Sequence, residues 1–231
     1  VKATQWISAV LVAALAGAPA LAHASTDVGA LNTDAFDLSG ALDRAVSPTR
    51  TALEVALGVG YTQGVGGAGA AGNVEDITGA GGSLEAQIGV RLIPSLAVGM
   101  YGTYARFRHG DAFADGSNAQ AITAGIQATW HARPARSLDP WISLGTGWRG
   151  LWLSPAGVPS SSLQGIELAR LQLGVDYRLS PRFAVSPVIG ASASLFVAQD
   201  SVTTNGLMAL HDNRLNLYGF TGLVGRFDVG G

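Results

Sequence analysis

The sequence predicts an all-β fold, an eight-stranded antiparallel transmembrane up-and-down β-barrel, and three observations predict it. Apolar and polar side chains alternate with a period of two in eight segments between Thr51 and Val229. The connections between those segments are short and long in turn. Aromatic residues on the apolar parity gather toward the two ends of the segments rather than at their middles. Successive strand side chains point to opposite faces, so each segment has one apolar and one polar face. Strands of ~10 residues that are polar inside and apolar outside wall a membrane-spanning barrel.

The expected strands are Thr51–Gln63, Gly82–Ile93, Ser95–Arg108, Ala119–Ala132, Pro140–Ser154, Gly165–Ser180, Arg182–Ala198 and Asn213–Val229. In the first, Glu54, Gly58 and Gly60 take the inward parity and Tyr61 the outward one. In the second, Leu84, Ile88, Val90 and Leu92 alternate with Glu85, Gln87 and Arg91. The third turns Tyr104, Arg106 and Arg108 outward, and the fourth turns Trp130 outward and Gly125 inward. The fifth carries Trp148 and Trp152 outward, with Gly145, Gly147 and Arg149 inward. In the sixth, Leu171, Leu173, Val175 and Tyr177 alternate with Arg170, Gln172, Asp176 and Arg178. The seventh places Phe183 outward and Gly190 inward. In the eighth, Leu215, Leu217, Thr221, Leu223, Phe227 and Val229 oppose Arg214, Asn216, Arg226 and Asp228.

Pro94-Ser95, Arg133 to Asp139 and Ser180-Pro181 are the short connections. Gly64 to Gly81, His109 to Asn118, Pro155 to Gln164 and Gln199 to Asp212 are the long ones. Outer-membrane barrels have short periplasmic turns and longer external loops, so an even strand number leaves both termini in the periplasm. A soluble sandwich has no reason to alternate its loop lengths. Tyr61, Tyr104 and Trp152 then make an external aromatic girdle, and Trp130, Tyr177, Phe183 and Phe227 a periplasmic one. Amphipathic rings settle at both membrane–water boundaries. Trp148, outward but nearer the middle, fits neither girdle.

Residues 1–24 read as a signal peptide: Lys2, an apolar stretch from Ile7 to Ala18, and Ala22-His23-Ala24 before a cut at Ser25. Residues 25–50 read as a periplasmic tail with one short helix at most, and 51–231 as the barrel. With 14 Lys+Arg against 16 Asp+Glu, bulk attraction to nucleic acid is not expected. No cysteine is present, which excludes thiolate catalysis, cysteine-held metal and disulfides.

The alternation, the signal peptide and the strand count together resemble the small outer-membrane barrels of the OmpA transmembrane-domain and OmpX-like type. The resemblance covers Thr51 to Gly231 and involves no diagnostic motif. It implies residence in the bacterial outer membrane and contact with outer-membrane lipids and lipopolysaccharide. It also implies a passage through the barrel-insertion machinery. That machinery reads a terminal aromatic in such barrels, whereas here Asp228-Val229-Gly230-Gly231 follows Phe227.

The inward parity carries Glu54, Glu85, Asp176 and Asp228 with Arg91, Arg149, Arg170, Arg178, Arg214 and Arg226. An eight-stranded interior is just wide enough for side chains to fill it, and buried charges must pair. The expected role of this set is a structural plug, in a monomeric, non-enzymatic barrel with a structural or surface-interaction role. The alternative is a narrow porin-like channel, for which the inward glycines leave room and to which an excess of arginine over Glu85 near the outer end would give anion preference. A lipid A-modifying enzyme is the rival from another class. His109, Asp111 and Ser117 share one loop and His211 and Asp212 another, and Asp115-Gly116-Ser117-Asn118-Ala119 loosely resembles the His-x-Ser-Asn segment of barrel deacylases. Asp115 stands where that segment needs histidine. No cofactor is expected, and no metal, because the histidines lack ligand spacing. Arg106 and Arg108, just beyond Tyr104, are expected to meet lipopolysaccharide phosphates.

Overall fold

Period-two alternation over long segments leaves no helical face to pack, so the strands bury their polar side only by closing on themselves. The computed structural model describes residues 45, 52–68, 72–110, 117–155, 157, 159–201, 206–210 and 214–229. The expected signal peptide and nearly all of the expected tail lie outside them. The elements are β1 (Leu53–Gly66), a helical turn α1 (Val74–Ile77), β2 (Thr78–Ile93), β3 (Leu96–His109), β4 (Asn118–His131), β5 (Leu138–Ser154), β6 (Ser161–Ser180), β7 (Phe183–Ser201), β8 (Gly206–Ala209) and β9 (Leu215–Val229).

Each long strand pairs antiparallel with the next, and β9 pairs with both β7 and β1, which closes an eight-stranded barrel. β8 is a four-residue ladder on the tip of β7, beyond the reach of β9. The sequence alone places this stretch in the long Gln199 to Asp212 connection. The ladder climbs as it goes round. From Tyr61 it runs through Gly82, Arg106, Gln120, Trp152 and Ser162 to Asp200 on β7. The direct route through Thr221 on β9 reaches Ile189, eleven residues lower on β7. Such a stagger is what tilts the strands of a small barrel.

The outside is apolar all round: Leu57, Met100, Ile126, Leu144, Leu173 and Leu223, from six different strands, are exposed. A wall of this kind is untenable in water and suits hydrocarbon. Inward glycines are crowded by their neighbours, although Gly58, Gly60, Gly222, Gly89 and Gly99 also border small cavities. A side chain at Gly174 would strike the Trp141 indole and one at Gly190 the Phe220 ring, while Gly60 and Gly222, or Gly89 and Gly99, face each other where backbones converge. They make room for aromatics and for strong coiling, not for a water column.

Two segments depart from expectation. The Gly64–Gly81 connection is shorter than it reads, since β1 continues to Gly66 and β2 begins at Thr78. Between them, α1 turns Val74 and Ile77 into the barrel mouth, where both are buried. There they join Phe107, Leu151, Leu153, Leu163, Phe196 and Tyr218 in an apolar cluster. In β6, a bulge between Glu167 and Ala169 reverses the parity, so that Glu167 is buried inside while Leu168 and Ala169 both face out.

Candidate functional site: the barrel interior

The interior is layered from the end with the short turns to the end with the long loops. At the turn end, Glu54 receives Arg91 and Arg226, one on each carboxylate oxygen and each at 2.6 Å. Arg178 reaches Asp228 at 3.3 Å and Asp139 at 3.8 Å, and Arg226 Nε lies 3.6 Å from Asp176. His131 Nδ1 bonds Asp139 at 2.8 Å, and its Nε2 meets Arg226 Nη1 at 3.1 Å. Since a guanidinium can only donate, Nε2 is the acceptor and Nδ1 carries the proton to Asp139. The Arg226 guanidinium also lies over the Trp141 ring, whose Nε1–H donates to Ser186 Oγ, which in turn bonds Asp176.

One layer up, Glu85 accepts from Arg170 at 2.5 Å and from Gln172 at 2.9 Å. Gln87 bonds Glu85 and receives Gln127, and Arg170 is held between the rings of Tyr101 and Phe220. In the third layer, Arg149 pairs with Glu167 at 2.6 Å, donates to Ser192, and lies 3.8 Å over Tyr218. The Tyr101 hydroxyl closes on the other Glu167 oxygen. The apolar cluster that includes Val74 and Ile77 lies above. Among the described residues, three small interior cavities lie between these layers: about 10 Å³ beside Gln87 and Gln127, about 20 Å³ beside Gln172 and Phe220, and about 30 Å³ between Arg149, Arg170 and Tyr218. The largest of these has room for one or two waters.

Of the expected lumen charges, Glu54, Arg91, Asp176, Arg178, Arg226 and Asp228 lie inside as one ion-paired cluster, Glu85 pairs with Arg170 above it, and Arg149 is inside but pairs with Glu167, which was not in the expected set. Arg214 lies outside the interior: it is exposed and precedes β9. The expected arginine excess at the outer end therefore disappears, because Arg214 leaves the set and Glu167 joins it. Glu167 carried no sequence signal, as only the bulge brings it inward. His131 and Asp139 were legible, since both continue the inward parity of their strands.

His131, Asp139 and Asp176 bring their ligand-type atoms within 4.8 Å of one another, a grouping that histidine spacing in the sequence does not reveal. Arg178 and Arg226 already supply the positive charge there. Ser117 borders a shallow recess with Asn118, Leu153 and Pro155. Asp111, Asp115, His211, Asp212 and the side chain of His109 lie outside the described residues.

On the exterior, Tyr61 and Tyr104 are exposed toward the loop end, and Trp130, Tyr177 and Phe227 toward the turn end. Phe183 is half-buried against Phe227, 4.7 Å between rings. Trp152 is half-buried with Trp148 at its edge, 6.0 Å away, so Trp148 joins the loop-end group after all. Arg106 and Arg108 are exposed above Tyr104, and Arg106 donates to Asn118 at 3.1 Å.

No family model matches the sequence, and no curated protein matches it. Solved structures with a similar chain path are small outer-membrane barrels. Neisserial surface protein A shares 15% identity over 76% of this chain and 96% of its own, with a TM-score of 0.48. The N-terminal barrel domain of Pseudomonas aeruginosa OprF shares 11% over 78% and 100%, with a TM-score of 0.44. Ail, the attachment invasion locus protein of Yersinia pestis, shares 15% over 78% and 100%, with a TM-score of 0.41. By its own strand count, closure and apolar exterior, the chain is an eight-stranded antiparallel membrane barrel, the architecture of the OmpA transmembrane-domain and OmpX-like type.

Proposed function

We propose that the chain is a non-enzymatic, non-conducting barrel of a bacterial outer membrane, working as a monomer in a structural or surface-interaction role. The closed interior carries this reading: three layers of paired side chains and an apolar cap leave room for a few waters, where a solute pathway needs a continuous wet bore. Refolded protein added to planar bilayers should give no unitary conductance across voltage and salt. Stable, repeated current steps would overturn the reading in favour of a narrow channel.

The orientation follows from loop length, with the turns toward the periplasm and the long loops outside. Arg106 and Arg108 then stand at the outer-leaflet phosphates, ready for lipopolysaccharide. A photoreactive side chain replacing Arg108 in cells should capture lipopolysaccharide, and less of it when Arg106→Gln is added. Capture of phospholipid alone would sink both the orientation and the contact.

A further inference from the structure

The two kinds of charge at the turn end are sorted by face. Glu54, Asp139, Asp176 and Asp228 all point into the barrel, buried and in reach of a guanidinium. Among the described residues, the charged side chains exposed on the outside of this end are Arg133, Arg136 and Arg182, and the Arg136 backbone bridges to Ala45. Arg133 and Arg136 belong to the β4–β5 turn and Arg182 to the β6–β7 turn, while the β2–β3 turn, Pro94-Ser95, carries no charge. Because β4, β5, β6 and β7 are successive neighbours, the three arginines form an arc along one side of the rim.

The arc borders the turn-end girdle. Arg133 follows Trp130 by three residues, and Arg182 precedes Phe183, which packs on Phe227. Rings of this kind sit at the headgroup level, so a guanidinium one step beyond them stands among phosphates, its stem along the apolar wall. The turns are also pinned. Arg133 N–H donates to Asp139 at 2.8 Å, Arg136 N–H to the Arg133 carbonyl at 3.0 Å, and Asp228 N–H to the Arg182 carbonyl at 3.0 Å. The Asp139 carboxylate and the Asp228 backbone thus fix the turns that carry the arginines, which lowers the ordering cost of binding.

We propose that this arc binds the phosphates of anionic glycerophospholipids in the leaflet that meets the short turns. Arginine suits the task because it engages a phosphate through two parallel hydrogen bonds. The neighbouring girdle contacts the acyl chains of the same molecule, which a free phosphate lacks. The inference rests on the membrane-spanning exterior and not on which leaflet faces the periplasm.

The test uses the refolded barrel in nanodiscs of equal phosphatidylglycerol and phosphatidylcholine, with retained lipids counted by native mass spectrometry. At low salt the wild type should keep phosphatidylglycerol in about fivefold excess, the attraction expected of one basic side chain at an anionic surface. Arg133→Gln with Arg182→Gln should remove most of that excess, whereas Ser154→Ala with Ser160→Ala, uncharged and at the other end, should leave it unchanged. An unselective wild type, a turn-end variant that keeps the full preference, or a serine variant that loses it would each overturn the proposal. So would inorganic phosphate that abolishes the preference at constant ionic strength, which would make free phosphate the ligand.

Discussion

The two ends of the barrel interior are closed by opposite means. At the turn end, Arg91, Arg178 and Arg226 interlock with Glu54, Asp139, Asp176 and Asp228, and every one of these side chains comes from a long strand. At the loop end the stopper is apolar, and two of its buried members, Val74 and Ile77, come from the connection between β1 and β2. A charge network on strands cannot yield one member without leaving another buried and unpaired. An apolar stopper on a connection can lift away and leave the hydrogen-bonded wall intact. The first kind of closure is therefore bound to the global stability of the barrel, and the second is a separate, weaker unit.

The sharpest way to break this contrast is Arg226→Met. The change keeps an apolar stem of similar length but removes the guanidinium that lies over Trp141 and is shared by Glu54, Asp176 and His131. Removing one side of a buried pair costs about 3–5 kcal/mol. Urea unfolding of the refolded barrel in lipid vesicles, followed by tryptophan fluorescence, should show a loss of that size. A loss below ~1 kcal/mol would mean that water already solvates the turn-end charges, since screened pairs contribute only that much. The two ends would then differ in composition but not in kind.

How far this contrast was legible in the sequence follows the same division. Parity alone assigns Glu54, Arg91, Asp176, Arg178, Arg226 and Asp228 to one end of one interior, because strand side chains alternate strictly wherever the ladder is regular. The same rule covers His131, which already lies within the expected fourth strand, and a one-residue extension of the fifth strand adds Asp139. The rule fails at Glu167, where a bulge inserts one residue into β6 and shifts everything above it to the other face. Nothing local in Gly165-Ile166-Glu167-Leu168-Ala169 demands that insertion. Its stabilisers are distant, the Arg149 guanidinium and Thr146 Oγ1, which donates to the Glu167 carbonyl at 2.8 Å. Arg214 fails for another reason: the strand starts one residue later, and parity has no meaning outside a strand. The stopper was hidden because glycine and alanine dominate Gly64–Gly81. The two apolar residues that matter, Val74 and Ile77, are three apart, too brief a pattern to separate a helical turn from loop.

The smaller effect is expected from Ile77→Ala, which tests whether the loop-end stopper is separate. In a rigid core an isoleucine-to-alanine change costs about 2–5 kcal/mol, because the cavity persists. Here α1 can lift instead, so the loss should fall on the stopper alone. The Gly110 amide reports it directly, since it donates to the Ile77 carbonyl at 3.1 Å and exchanges only when that contact opens. Hydrogen exchange at Gly110 should accelerate by about thirtyfold, the equivalent of ~2 kcal/mol, while amides in the middle of β4 and β5 keep their protection. The urea midpoint should move by less than a quarter of the shift that Arg226→Met produces. If instead the β4 and β5 amides lose protection together with Gly110, the stopper and the wall unfold as one unit. Hydrophobic closure from a connection would then be as binding on the barrel as charge closure from its strands.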